Sequence, residues 1–123
     1  MPRQFLPKRF KRRADFLRLA AQGRKIVKTG FVLQALQGAT APEPDRPSAA
    51  PDVRLGFTAT KKIGNAVIRN RAKRRLREAA RLVLAERDAQ GVELVLVARR
   101  ETGSMDFARL RQNLAEAVDE VLA

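Results

Sequence analysis

Apolar positions along the chain change period several times, and each change marks an expected element. From Ala66 onward, Ile68, Ala72, Leu76, Ala79 and Val83 recur at three- and four-residue intervals, which predicts a helix with one apolar stripe. Gly64 breaks whatever precedes it, and Asn65 suits the N-cap, where its side-chain oxygen accepts from a free amide. Upstream, Arg12 to Gln22 reads as a short helix with Phe16, Leu19 and Ala20 close together and Gly23 at C′. Lys25 to Gln37 reads as one strand, with Phe31, Leu33 and Ala35 on one face and Val32, Gln34 and Leu36 on the other.

Val53 to Thr60 alternates more clearly, with Val53, Leu55, Phe57 and Ala59 opposite Arg54, Gly56, Thr58 and Thr60. The two apolar faces match, so these strands are expected to pair with Phe31 and Phe57 inside. Gln34, Thr58 and Thr60 would then form a polar floor on the other side. Val92 to Ala98 is almost continuously apolar, as in a strand buried on both faces. A strand, a long helix and another strand imply a βαβ unit with parallel strands. The last helix is expected after a Ser104 cap, with Phe107, Leu110, Leu114, Ala117 and Val121 as its stripe.

Three stretches fall outside this scheme. Met1 to Lys11 is a basic arm opposed to helix by Pro2 and Pro7, residues 38–52 form a proline-rich flexible loop, and Asp88 to Gly91 is a turn. The expected order is α-β-β-α-β-α, an α+β sandwich of a small mixed sheet and helices, forming a single domain over 1–123.

Charge sharpens the picture. Lysine and arginine number 26 against 13 acids, a net charge of +13. The excess is concentrated on the central helix, where Arg71, Lys73, Arg74, Arg75, Arg77 and Arg81 fan across the side opposite the apolar stripe, with Asn70 among them. An ordinary solvated helix face mixes signs, because like charges at i,i+4 repel. Here no acid occurs between Asp52 and Glu78, so Lys61, Lys62, Arg69, Arg71, Lys73, Arg74, Arg75 and Arg77 have no carboxylate nearby in sequence. A polyanion supplying the missing charge is the reading preferred over a solvated face, and nucleic acid over a membrane surface or an acidic protein.

Composition narrows the chemistry. The chain has no cysteine and no histidine, which excludes disulfides and thiolate nucleophiles and removes the usual general base and metal ligand. No apolar run is long enough to span a membrane, and no signal-peptide core follows the basic N-terminus, so the expectation is a cytoplasmic protein. Zinc-based DNA readers are excluded, and the predicted strands argue against a minimal helix-turn-helix. Six phenylalanines without tyrosine or tryptophan leave limited stacking capacity for single strands. Charge alone leaves a ribosomal protein, an RNA chaperone and a ribonucleoprotein subunit all open.

The stretch KKIGNAVIRNRAKRRLRE, Lys61 to Glu78, resembles the signature of the bacterial ribonuclease P protein subunit, centred on the triplet Arg69-Asn70-Arg71. The resemblance extends over nearly the whole chain: Asp15-Phe16 in the first helix, Gly23 after it, Phe31-Val32-Leu33 in the first strand, LGFTATKK before the signature and VLVAR after it. It implies a left-handed βαβ crossover, in a fold like the second domain of ribosomal protein S5, against a strong right-handed prior. It also implies a ribonucleoprotein endonuclease that removes the 5′ leader of precursor tRNA. In that family the RNA subunit carries out the Mg2+-dependent hydrolysis, Mg2+ being bound mainly by the RNA, and no residue of the protein is catalytic or a metal ligand.

By position, the resemblance assigns Arg69, Asn70, Arg71, Lys73, Arg74 and Arg77 to the ribonuclease P RNA. It assigns Phe16, Gln34, Thr58, Thr60, Lys61 and Lys62 to a cleft for the leader of precursor tRNA, between the first helix, the polar side of the sheet and the start of the central helix. Two departures are visible. Ala20 and Gln34 stand where the family often has aromatic residues, so leader binding here rests more on charge and hydrogen bonds, and Ala72 stands where a larger aliphatic residue is common.

Overall fold

Strand β5 (Val92–Ala98) occupies the middle of a five-stranded sheet in the order β1-β4-β5-β3-β2. Its central place explains its sequence: Leu94, Leu96 and Ala98 enter the main core and Val95 packs on the other face, so both faces must be apolar. The computed structural model describes residues 8–9, 13–37, 53–87 and 92–123. Around β5 lie β1 (Lys8–Arg9), α1 (Arg13–Gln22), β2 (Arg24–Lys28), β3 (Phe31–Gln37), β4 (Arg54–Thr58), a 3-10 turn (Lys61–Ile63), α2 (Ala66–Ala85) and α3 (Phe107–Leu122).

The stretch expected as one strand from Lys25 to Gln37 is instead a hairpin, β2 and β3 pairing antiparallel across Thr29-Gly30. Gly30 has φ +103°, a backbone state that L side chains rarely adopt, and a Cβ there would fall 2.4 Å from the Met105 sulfur. The expected pairing of the two early strands is also corrected. β5 inserts between them, antiparallel to β3 and parallel to β4, so β3 and β4 share no hydrogen bonds. The parallel β4–α2–β5 unit is present as expected. Of the N-terminal arm, only Lys8 and Arg9 lie among the described residues, and they add a short parallel strand beside β4. The 38–52 loop and the turn at 88–91 lie outside the described residues.

Helices cover both faces of the sheet. Against one face, α2 contributes Ala72, Leu76, Ala79, Ala80, Val83 and Leu84, and α3 contributes Leu110, Leu114, Ala117, Val118 and Val121, to the core with Phe31, Leu33, Leu55, Leu94 and Leu96. Ile68, placed in the α2 stripe by its spacing, is 44 % exposed, because the stripe overruns the sheet by one turn at the start of the helix. Phe57 is half-buried at the edge of the same core. Against the other face, among the described residues, lies α1, where Leu19 and Val95 are buried and Phe16, Leu36 and Val97 pack partly around them.

Two expected caps change. Gly23 does not take a left-handed conformation. Its amide donates to the Leu19 carbonyl at 2.9 Å, and its lack of a side chain permits close approach, since a Cβ would sit 2.5 Å from that oxygen and 3.2 Å from the Ala35 carbonyl. The N-cap of α3 is Asp106, which accepts from the Arg109 amide at 3.2 Å, not Ser104. Ser104 belongs to the preceding turn, where its amide donates to the Glu101 carbonyl. A carboxylate suits the cap better because it also meets the positive end of the helix dipole.

Candidate nucleic-acid interface

The basic helix is set up by the four residues before it. Ile63 and Gly64 close the 3-10 turn with amides that donate to Thr60 and Lys61 carbonyls. Gly64 then takes φ +147°, and a Cβ on it would fall 2.8 Å from Ile68 Cδ1. Asn65 caps α2 as expected, its Oδ1 accepting from the Ile68 amide at 3.0 Å. The start and rotation of α2 are thereby fixed, and the burial of Ala72 and Leu76 turns the opposite side outward.

On that side Asn70, Arg71, Arg74 and Arg77 are exposed, and Arg69 and Lys73 are half-buried. Among the described residues, none of these cations forms an ion pair. Arg77 instead lies over the Phe57 ring, its guanidinium carbon 5.5 Å from the centroid. The first turn of α2 carries no acid to offset Arg69, the cation of this group nearest the positive end of the helix dipole, where positive charge is disfavoured. Self-repulsion along the row, and the dipole at Arg69, oppose the arrangement in the isolated protein, and an anionic ligand would relieve both.

The array is shorter than the sequence suggested. Arg75 turns away from it, donating to the Met105 carbonyl and lying 5.8 Å from the Phe107 ring, so that it braces α2 against the start of α3. Arg81 pairs with Glu78, whose carboxyl is held below its ordinary range by the hydrogen bond from that guanidinium. Farther on, Arg87 pairs side-on with Asp119, its Nε and Nη2 donating to the two carboxylate oxygens at 2.7 and 3.1 Å. Among the described residues, the α2 cations without an ion pair therefore gather between Arg69 and Arg77, next to exposed Lys61 and Lys62.

The second predicted group also assembles around the sheet. In register, Gln34 stands beside Val95 and then Gly56, and Val32 beside Val97 and then Thr58. Gln34 and Thr58 thus share the face on which α1 lies, with β5 between their strands. At about 4.8 Å per strand spacing, β3 and β4 are roughly 10 Å apart. Phe16 is half-buried on this side of the sheet, in the cluster that includes Leu36 and Val97. Thr60, Lys61 and Lys62 follow at the exposed end of β4. The floor is not uniformly polar, however. Inserting β5 places the buried Val95 and the half-buried Val97 between the strands of Gln34 and Thr58, with the half-buried Val32 beside Val97, a consequence visible only once β5, not β3, is β4's neighbour. Ala20 is exposed on α1, and Ala72 is buried against the core.

No three acidic side chains that could hold a metal ion converge among the described residues. No helix among them is long and apolar enough to cross a membrane.

A family model described as Ribonuclease P matches residues 6–122. The chain belongs to the ribonuclease P protein family. The Ribonuclease P protein component of Gluconacetobacter diazotrophicus is 50 % identical over 102 residues, spanning 83 % of this chain and 80 % of that one. The Ribonuclease P protein component of Paramagnetospirillum magneticum is 43 % identical over 113 residues, spanning 92 % and 81 %. Among solved structures, the RNase P protein from Thermotoga maritima matches with a TM-score of 0.72 at 25 % identity, covering 92 % of this chain and 96 % of that one. The mixed α+β architecture is thus that of the ribonuclease P proteins. Membership of the family makes the chain a subunit of an endoribonuclease of tRNA processing, a ribonucleoprotein with an RNA partner.

Proposed function

We propose that this subunit performs two kinds of binding and no chemistry of its own. Arg69, Asn70, Arg71, Lys73, Arg74 and Arg77 dock on the catalytic RNA. Phe16, Gln34, Thr58, Thr60, Lys61 and Lys62 hold the 5′ leader of precursor tRNA in the cleft beside α1. The observation that carries the first assignment is the row of cations that have no carboxylate partner among the described residues, on a helix whose reverse side is buried. The second is supported by Gln34 and Thr58 sharing one face of the sheet, with Lys61 and Lys62 at its end. Neutral donors on the floor would meet sugars and bases, the half-buried valines would offer apolar contact to base faces, and the lysines would meet phosphates. Hydrolysis is assigned to the RNA subunit with its Mg2+, which suits a chain lacking histidine and cysteine. The complex would work in the cytoplasm.

The test is reconstitution with a bacterial ribonuclease P RNA over a magnesium titration, using precursor and mature tRNA. The expected result is no cleavage by protein alone, a lower magnesium requirement for the RNA with protein present, and tighter binding of precursor than of mature tRNA. Equal affinity for the two tRNAs would point to a general RNA-binding module and remove the leader assignment.

A further inference from the structure

Of the carboxylates among the described residues, only Glu93 is buried, at 1 % exposure in the central strand. In register it lies between Leu36 of β3 and Arg54 of β4, on the face that α1 covers. Its Oε2 accepts from the Arg18 guanidinium of α1 and lies 3.8 Å from Arg54 Nη1. One carboxylate oxygen therefore joins the central strand, the strand leading to the basic helix and the helix that flanks the cleft.

We propose that Glu93 is a positioning residue for the leader cleft, fixing where α1 sits over the sheet by holding Arg18; this rests on the leader reading of that cleft. The physical need for it follows from the unequal layers. α2 and α3 are anchored by a broad apolar core, whereas α1 has ten residues and the small cluster around Leu19 and Val95. Apolar contact is non-directional and a cluster of that size tolerates sliding. A guanidinium on a buried carboxylate has a defined geometry and, once dry, a strong penalty for separation, so it selects one seat for the helix. Phe16 and Arg18 lie on the same short helix, so a shift of the Arg18 seat carries Phe16 with it across the floor formed by Val32, Val97 and Thr58. Among the described residues, the polar partners of Glu93 are Arg18 and Arg54, neither of them assigned to the catalytic RNA, so its effect is expected on the leader side.

The test uses the full chain with Glu93→Gln, Glu93→Asp and Arg18→Met, read two ways. Amide hydrogen exchange of the free protein compares α1 with α2, and steady-state cleavage by the reconstituted holoenzyme compares precursors with a full leader and with a one-nucleotide leader. Expected for Glu93→Gln are faster exchange in α1 with α2 unchanged, and a KM for the long-leader precursor raised about tenfold, as for loss of one base contact. Turnover at saturation and the KM for the short-leader precursor should stay put, and Glu93→Asp should recover part of the difference. Arg18→Met leaves the buried carboxylate beside Arg54 and should reproduce the same pattern should Glu93→Gln fail to fold. Unchanged protection of α1 in the folded variants, or equal loss in α1 and α2 with KM and kcat falling together, overturns the proposal. Selective loosening of α1 with no change in leader dependence keeps the seating role and overturns the leader reading of the cleft.

Discussion

Arg77 and Phe57 face one another across the boundary between α2 and β4, with the guanidinium carbon 5.5 Å from the ring centroid. The contact ties the basic face to the strand that carries Thr58. Cation–π contacts at exposed sites contribute about 0.5–1 kcal/mol, and a planar guanidinium stacks where an ammonium does not. Arg77→Lys should therefore lower the denaturant midpoint slightly while leaving the salt dependence of RNA binding unchanged. Arg77→Ala should lower the midpoint and also reduce the slope of log K against log salt by about 0.7–0.9, one phosphate contact.

Neighbouring arginines on α2 should separate cleanly by role. Arg71 is exposed and has no ion pair among the described residues, whereas Arg75 braces the Met105 carbonyl and the Phe107 ring. Arg71→Ala should leave stability unchanged and weaken assembly with the catalytic RNA, with a salt slope smaller by about 0.7–0.9. Arg69→Ala should weaken assembly likewise. Arg75→Ala should cost about 1.5–3 kcal/mol of stability, as for a hydrogen bond to a charged group, with the slope unaltered. Thermal unfolding and filter binding over a salt series check both, and equal slopes for Arg71→Ala and wild type would refute the docking surface.

These outcomes bear on how far the sequence could be read. The capped basic helix was legible because its signals are local: Asn65 at the cap, a 3.6-residue apolar stripe and no acid before Glu78. β5 was legible for a similar reason, its apolar run reporting burial on both faces. The hairpin at Thr29-Gly30 was missed although the core positions change parity there, from Ile26 to Phe31, Leu33 and Ala35, because Val27 and Val32 make both faces read as apolar and only Gly30 marks the turn. The insertion of β5 between β3 and β4 was missed because pairing is a nonlocal property, and matching apolar faces do not say which strands are neighbours. The split between Arg71 and Arg75 was hidden too. Both stand on the basic side of the helix, and only the arrival of α3 at Met105 and Phe107 draws one of them inward.

The turn into α2 gives a test independent of RNA. Asn65→Ala removes the acceptor for the Ile68 amide and should cost about 1 kcal/mol, the ordinary value of such a cap. Gly64→Ala forces an L residue into φ +147° and a Cβ to within 2.8 Å of Ile68 Cδ1, so it should cost more, about 1–3 kcal/mol. Urea denaturation of the two variants gives the comparison, and a Gly64→Ala protein as stable as wild type would remove the conformational account of that glycine.

On the cleft side, Phe16→Ala and Thr58→Val should act on the leader alone. A base stacked on an aromatic ring is worth about 1–3 kcal/mol, so Phe16→Ala should reduce the precursor-over-mature preference by roughly 5- to 150-fold. Thr58→Val keeps shape and removes a hydroxyl, and a smaller loss is expected. Affinity for mature tRNA and for the catalytic RNA should not change in either variant, which direct binding to the holoenzyme and to the RNA subunit would establish.

Acid sensitivity should be traceable to the loop that braces the hairpin. Glu101 Oε1 accepts from the Gly30 amide at 3.1 Å, and the Thr102 hydroxyl donates to the Gly30 carbonyl while accepting from the Arg99 amide. The Glu101 carboxyl is held below its ordinary range, first by its own backbone amide, then by that of Gly30 and the charge of Arg99, against an opposing effect of burial. A carboxyl depressed in the folded state stabilises the protein above its unfolded value, and that contribution is lost as pH falls through the folded value. Glu101→Gln retains an oxygen that accepts from Gly30 but cannot titrate. The stability difference between wild type and Glu101→Gln should thus be full above about pH 5 and shrink as pH falls below about 4. Denaturant unfolding of both proteins across that range measures it, and a difference independent of pH would mean that the charge on Glu101 contributes nothing to holding the turn.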